Sequence, residues 1–457
     1  MVRVPRKSRK HPLPQRDRAR IRSIKISDVE ATFANLDRFF DGSRWLGSQN
    51  RYSEKTIEKI SSDAKLGRIR SPRQLAQYIT ASSILHCADG WSYLGRSILS
   101  LLRGDPHRAR HLAYYAELRA AMAILATEGI GIFKNKHFAI DGPDSVARLD
   151  TKKGTHDVVW DCLDYWSRQR RSGDIFAEII APYGRTLDGW LTPLGGGNVV
   201  SPQAQIWFRQ WGMDLRTFPD DRDARNVSSY RPDGIPNSWY LTAPDVLNFV
   251  RDVWSAFQPA ENARFDGIDK HILRITLEST FRGRTGTEPD ADRGAFKTWL
   301  QNTVDYQAFS PEISAHWAKI LNRETIPDDP TMFSWSAKSS EVRESSHFSI
   351  ISRAALLLRI ASGSTARLVQ RSGLTPDSIQ FWWNGFGQAR GLWEGQREAD
   401  TLTDLWADIE VCLSEIDDFE SRNSLAQQTF YRIGNELGRA LAGLASCERV
   451  AIWGIAN

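Results

Sequence analysis

Residues 91–140 admit few readings other than a helical pair that runs into a short hairpin, and this stretch constrains what the rest of the chain can pack against. Asp105 followed by Pro106 marks a helix start, with an oxygen to cap free amides and a ring that pre-sets the first turn. From there Ala109, Ala113, Ala116, Ala120 and Ala123 recur three or four residues apart. That spacing sets small side chains on one helical face, where a second helix approaches closely. Trp91, Leu94, Ile98, Leu101 and Leu102 supply an apolar partner, so an antiparallel helical hairpin turning at residues 103–105 is predicted. Residues 129–133 and 137–140 then flank Lys134-Asn135-Lys136, which reads as two strands and a tight turn.

A chain of 457 residues has room for two or three domains with cores that need no disulfide. Its 41% hydrophobic and 25% charged residues are ordinary globular values, which excludes disorder over most of the length. The net charge of +5 is unevenly placed: Arg3, Arg6, Lys7, Arg9, Lys10, Arg16, Arg18, Arg20 and Arg22 against Asp17 give the first 22 residues +8, leaving −3 for the remainder. The basic character therefore belongs to a tail, and a body with one large basic face is not expected. Cys87, Cys162, Cys412 and Cys447 show no paired spacing, which argues against a zinc ribbon or a secreted disulfide framework. With no apolar run long enough for a membrane span or a signal peptide, a cytoplasmic protein is expected.

Residues 1–24, rich in Pro and Arg, are expected to be disordered, because they offer little apolar surface to offset ordering entropy. Helix starts follow at Ser27-Asp28, Ser53 and Ser71-Pro72, the last predicted to end near His86. Together with the central pair they form a helical domain over residues 25–140. An irregular, mostly helical middle region over 141–340 comes next. In it, helices are expected over 155–170, 174–183, 201–211, 242–257 and 263–282, with Gly195-Gly196-Gly197 as a linker and residues 219–236 as a polar loop. Residues 341–457 read as a helical C-terminal domain. A strongly apolar helix from Ser346 stops at Gly363, Thr375-Pro376 caps a segment holding Trp382 and Trp383, and long amphipathic helices cover 400–419 and 421–445. The fold class is thus mainly α, with multi-helix N- and C-terminal domains and one short β-hairpin between them.

No phosphate-binding loop, His-Glu-x-x-His or Gly-x-Ser-x-Gly motif is present, and the histidines have no metal-ligand spacing, so no cofactor or metal is expected. Three constellations remain. Arg103, His107, Arg110 and His111 crowd a helix N-terminus, where backbone amides and guanidinium groups together suit phosphate. Asp141 or Asp144, with Asp150-Thr151-Lys152 after the hairpin, supplies carboxylates and a Lys of the kind that holds a metal and activates water in restriction-type nucleases. The nine cations of the tail suit a phosphate backbone in a salt-dependent, sequence-independent way.

Tyr114-Tyr115-Ala116-Glu117-Leu118-Arg119-Ala120-Ala121 resembles the long helix of HEPN-type domains, helical modules of bacterial toxins and antiviral defence proteins. The resemblance is local to residues 91–140. It implies a ribonuclease pairing an Arg with a His across a gap of four to six intervening residues, and Arg264 and His271, with Phe265 to Lys270 between them, have that gap here, although Phe265 departs from the polar residue usual after the Arg. On one helix the two side chains would share a face, with His as general base and Arg as phosphate stabiliser.

The function expected is that of a non-catalytic interaction subunit of a bacterial complex, in a setting such as antiviral defence, touching RNA or DNA through its tail. Its protein partners, or further copies of itself, would dock on Trp-rich surfaces, since the chain holds 17 Trp. The alternatives are the metal-independent HEPN-like ribonuclease and the metal-dependent nuclease of Asp141, Asp150 and Lys152; if the chain is an enzyme, it is a nuclease.

Overall fold

In a computed structural model of the chain, residues 12–36, 44–211, 241–337, 346–393, 401–424 and 428–456 are described. The expected polar loop at 219–236 and the cations at Arg3, Arg6, Lys7, Arg9 and Lys10 lie outside them. The chain begins with α1 (Gln15–Ser23), α2 (Ile26–Ala34) and α3 (Thr56–Lys65). The central pair follows as α4 (Pro72–Leu102) and α5 (Pro106–Thr127). Asp105 caps α5 by accepting the backbone N–H of Arg108 at 3.0 Å, and the turn falls at 103–105 as the sequence indicates. Ala109, Ala113, Ala116, Ala120 and Ala123 are all fully buried, and Ser97 in α4 donates to the Ala109 carbonyl at 2.6 Å across the seam.

Where the sequence suggests a break near His86, α4 continues for 31 residues. Gly90 and Gly95, in this continuation, are contact points: a Cβ at Gly95 would stand 2.0 Å from the Ala445 carbonyl oxygen, and one at Gly90 would stand 2.6 Å from Leu358 Cδ2. A buried helix keeps its hydrogen bonds through a glycine, and close backbone approach outweighs the propensity cost of about 1 kcal/mol.

A three-stranded antiparallel sheet in the order β1 (Ile130–Phe133), β2 (Lys136–Gly142), β3 (Ser145–Arg148) follows α5. The first two strands are the expected hairpin, with Ile132 opposite His137 and Phe133 opposite Lys136. The third strand has no clear alternation and is not visible in the sequence; it pairs through Ala139 opposite Ala147, past an irregularity between Ile140 and Gly142.

The middle region contains α6 (Thr155–Ser167), α7 (Arg170–Ile179), α8 (Leu187–Leu191) and α9 (Gly197–Trp211). It continues with α10 (Ala243–Ala256), α11 (Asp266–Thr285), α12 (Arg293–Asp305), α13 (Pro311–Leu321) and α14 (Thr331–Ala337). The triple glycine is no linker: Gly195 and Gly196 take positive φ, and Gly197 opens α9, which carries Pro202 within its first turns.

The last helices are α15 (Ser346–Arg371), α16 (Gln380–Arg390), α17 (Ala407–Arg422), α18 (Phe430–Glu436), α19 (Gly438–Leu444) and α20 (Glu448–Ala456). The helix expected over 421–445 is thus divided, with Leu437 between α18 and α19. The expected stop at Gly363 does not occur either, and α15 runs on to Arg371. This helix lies along α5 and α4, so segments assigned by sequence to opposite ends of the chain share one core. Polar ties fix the contact: Trp91 Nε1 donates to Ser362 Oγ at 2.9 Å, and Arg353 Nε donates to Glu117 Oε1 at 3.0 Å between side chains almost wholly out of solvent.

Candidate functional site

Residues 12–24 of the basic segment are ordered where the sequence suggests disorder, because one face of them fits the body. Leu13, Asp17, Ile21 and Ile24 are buried at spacings of three or four, the period of a helix. The Asp17 carboxylate is fully buried and accepts the backbone N–H groups of Asp150 at 2.6 Å and Thr151 at 2.9 Å. Arg20 Nη1 donates to the Arg148 carbonyl at 2.6 Å and to Asp150 Oδ1 at 2.7 Å. Arg22 donates to the Tyr165 hydroxyl at 3.1 Å. Pro14 takes the N-cap position of α1, where a missing N–H costs nothing.

Arg16, Arg22 and Lys25 are exposed on or just after α1, Arg148, Lys152 and Lys153 are exposed around the segment that α1 is anchored to, and Arg18 is half-buried. The acids among them are engaged. The hydrogen bond from Arg20 holds the Asp150 carboxyl below its usual range, Arg16 lies 3.9 Å from Asp150 Oδ2, and Asp161 pairs with Lys153 at 2.7 Å. Sequence reasoning missed Arg148 and Lys153 as members of this face, since neither is near α1 except by the pairing of Asp17 with a segment 133 positions away.

The α4–α5 turn does not assemble the expected anion site. Asp105 already caps α5, and Arg110 is buried against α15, where its charge acts on His347. His111 packs its ring on Tyr115 at 5.1 Å, and burial lowers the pKa of His107. Only Arg103 is turned outward among the four.

Arg264 and His271 do not share a helical face. Arg264 lies ahead of α11, outside the helix, and lines a cavity with Asp269 and Arg359. His271 is two positions beyond Asp269, on the opposite side of α11. Its Nδ1 is 3.0 Å from Asp329 Oδ1 and 2.9 Å from Arg274 Nη2, and burial, ahead of every other influence, lowers its pKa. Arg274, 1% exposed, also donates to the carbonyls of Ile320 and Asp328, and Arg323 bridges Asp329 to Glu278. His271 thus belongs to a buried clasp between α11 and the segment after α13.

Asp150, the pivot of the metal-nuclease reading, is held by Arg20, Asp141 and Asp144 are exposed, and Asp144 pairs with Arg73 at 3.1 Å. Among the described residues no group of three or more His, Cys, Asp or Glu is placed to hold a metal ion. The Trp-rich docking surface is also corrected: no Trp whose burial is described is exposed, and Trp382 and Trp383 are each 7% exposed, with the Trp383 indole donating to the Pro376 carbonyl at 3.1 Å. The indoles contribute area to the core instead. Among the described residues, no helix is long and apolar enough to cross a membrane.

Fold and face together define a mainly α protein with a basic helix seated on a small antiparallel sheet. Comparisons with family models, curated proteins and solved structures return no match.

Proposed function

We propose that this chain is a non-catalytic subunit that contacts the phosphate backbone of nucleic acid through its basic N-terminal segment and the adjoining end of the sheet. The setting suggested by the HEPN-like sequence of α5 is a bacterial defence complex. The observation that carries the reading is the seat of Asp17 on the backbone of Asp150 and Thr151. It makes Arg16, Arg22, Arg148 and Lys152 a surface continuous with the chain that bears Arg3, Arg6, Lys7, Arg9 and Lys10. Clustered cations of this kind release counterions from a polyanion without reading its sequence. The separation of Arg264 from His271 favours binding over cleavage.

The test is fluorescence anisotropy with a labelled single-stranded RNA and a labelled duplex DNA, in EDTA and in Mg²⁺, with gel analysis of the same samples. The expected result is salt-sensitive binding that deletion of residues 1–11 weakens, with both probes intact. Cleavage in EDTA abolished by the Arg264→Ala/His271→Ala pair would overturn the reading in favour of a ribonuclease.

A further inference from the structure

A cavity of about 290 Å³ opens where α15 crosses the ends of α7, α11 and α20. Its wall carries three guanidinium groups, Arg264, Arg359 and Arg367, against two carboxylates, Glu178 and Asp269. Arg359 is the deepest of the three. It is 2% exposed, its Nε and Nη2 grip Asp269 at 2.9 and 2.7 Å, Nη2 also donates to the Ile179 carbonyl at 2.7 Å, and its guanidinium lies 4.3 Å from the Phe265 ring centroid. The remaining nitrogen, Nη1, is buried and has no hydrogen-bond partner. A buried charged donor left unmade costs more than an ordinary hydrogen bond returns, so its persistence calls for an acceptor.

Gly363 makes room for that nitrogen at this depth. A Cβ at Gly363 would sit 2.8 Å from Nη1, so the glycine within α15 leaves space that any other residue would close. Arg367 reaches Glu178 through Nε at 2.7 Å, and Arg371 binds the same carboxylate, which leaves Glu178 occupied. Burial, then the neighbouring Arg359, brings the pKa of Arg264 down to about 10, as expected where positive charge is gathered away from water. A planar guanidinium offers paired donors matched to oxyanions, and three of them suit a dianion better than a carboxylate. The volume is at the lower end of ligand cavities, which fits a small molecule and excludes a polymer strand.

We propose that this cavity binds the phosphoryl group of a small phosphate monoester, with Arg359 Nη1 as the innermost donor and Arg264 and Arg367 facing the outer oxygens. The site is separate from the basic face and stands whether or not that face binds nucleic acid.

Isothermal titration of the full chain with glycerol 3-phosphate, inorganic phosphate, acetate and glycerol at constant ionic strength tests it. The expected result is one site for glycerol 3-phosphate, with acetate and inorganic phosphate at least about tenfold weaker and no heat from glycerol. Ala366→Leu, which fills the cavity with an apolar side chain, should weaken binding by about tenfold or more without changing the circular dichroism spectrum. Hydrogen exchange of the unaltered protein gives an independent reading, with glycerol 3-phosphate protecting amides in 179–184 and 262–265. Absence of binding, protection confined to other segments, or unchanged affinity in a folded Ala366→Leu variant would overturn the proposal. Equal binding of acetate would overturn the phosphoryl assignment, and equal binding of inorganic phosphate would overturn the ester.

Discussion

The carboxylate of Asp17 accepts the backbone N–H of Asp150 at 2.6 Å, so a helix in the first 23 residues is held by a strand end more than a hundred positions away. Hydrogen bonds to a buried charged acceptor contribute about 1.5 to 3 kcal/mol each, and Asp17 makes a second one to Thr151. Asp17→Ala should release α1 and leave the remaining core folded. Limited proteolysis checks it: cleavage within residues 15–23 should accelerate strongly in the variant, and an unchanged rate would show that the carboxylate is not the anchor.

Two glycines of α4 should respond differently to the same substitution. At Gly95 the added Cβ meets a backbone oxygen at 2.0 Å, which cannot move without shifting α19 and the turn after it. At Gly90 it meets the end of the Leu358 side chain at 2.6 Å, which has other rotamers. Gly95→Ala should cost about 2 kcal/mol or more, and Gly90→Ala less than about 1 kcal/mol, because the gain in helix propensity offsets part of the strain. Urea denaturation of the two variants measures the difference.

The clasp around Asp329 should behave as structure and not as a reaction centre. Asp329→Asn removes the charge that faces His271, Arg274 and Arg323, leaving the Arg274 guanidinium buried with no anionic partner. Breaking such a pair from one side should cost about 3 kcal/mol or more. His271→Ala should cost about 1 to 2 kcal/mol by loss of one hydrogen bond and its packing, with no change in nucleic-acid binding. Thermal unfolding and the anisotropy assay, run on both variants, separate the two effects.

His347 links stability to pH. It is 2% exposed, and burial, reinforced by the nearby Arg110, brings its pKa down from 6.5 to about 4. Below pH 6.5 the unfolded chain therefore binds a proton that the folded one refuses until about pH 4. Stability is full above pH 6.5 and falls through this window by about 3 kcal/mol from this residue. Comparing the pH dependence of unfolding for wild type and His347→Gln isolates the contribution, which should be absent from the variant.

Legibility in the sequence followed the range of the interactions. The α4–α5 pair, the Asp105 cap and the hairpin were readable because each depends on residues within a few positions. The same local rules ended one helix near His86 and another at Gly363, whereas the decisive contacts of Gly90, Gly95 and Gly363 are with Leu358, Ala445 and Ile179 far along the chain. They misjudged α1 as well, since the four buried positions in and beside it, Leu13, Asp17, Ile21 and Ile24, are only worth ordering against a body that the segment itself does not reveal. The Arg264–His271 spacing failed because Arg264 precedes the helix, and a gap of seven positions keeps two side chains together only inside one. The arginine cavity draws its wall from four separate segments, and nothing local marks Arg359 and Asp269 as partners across 90 positions.

The central claim rests on phosphate contacts made by a particular surface, and the salt dependence of binding measures those contacts directly. The dissociation constant for duplex DNA, taken over a series of salt concentrations, should rise steeply for the wild type. For Arg16→Gln/Arg148→Gln/Lys152→Gln the slope of log Kd against log salt should fall by about 2 to 3, close to one for each contact removed. An unchanged slope in a folded triple variant, or the absence of binding at low salt, would contradict the account.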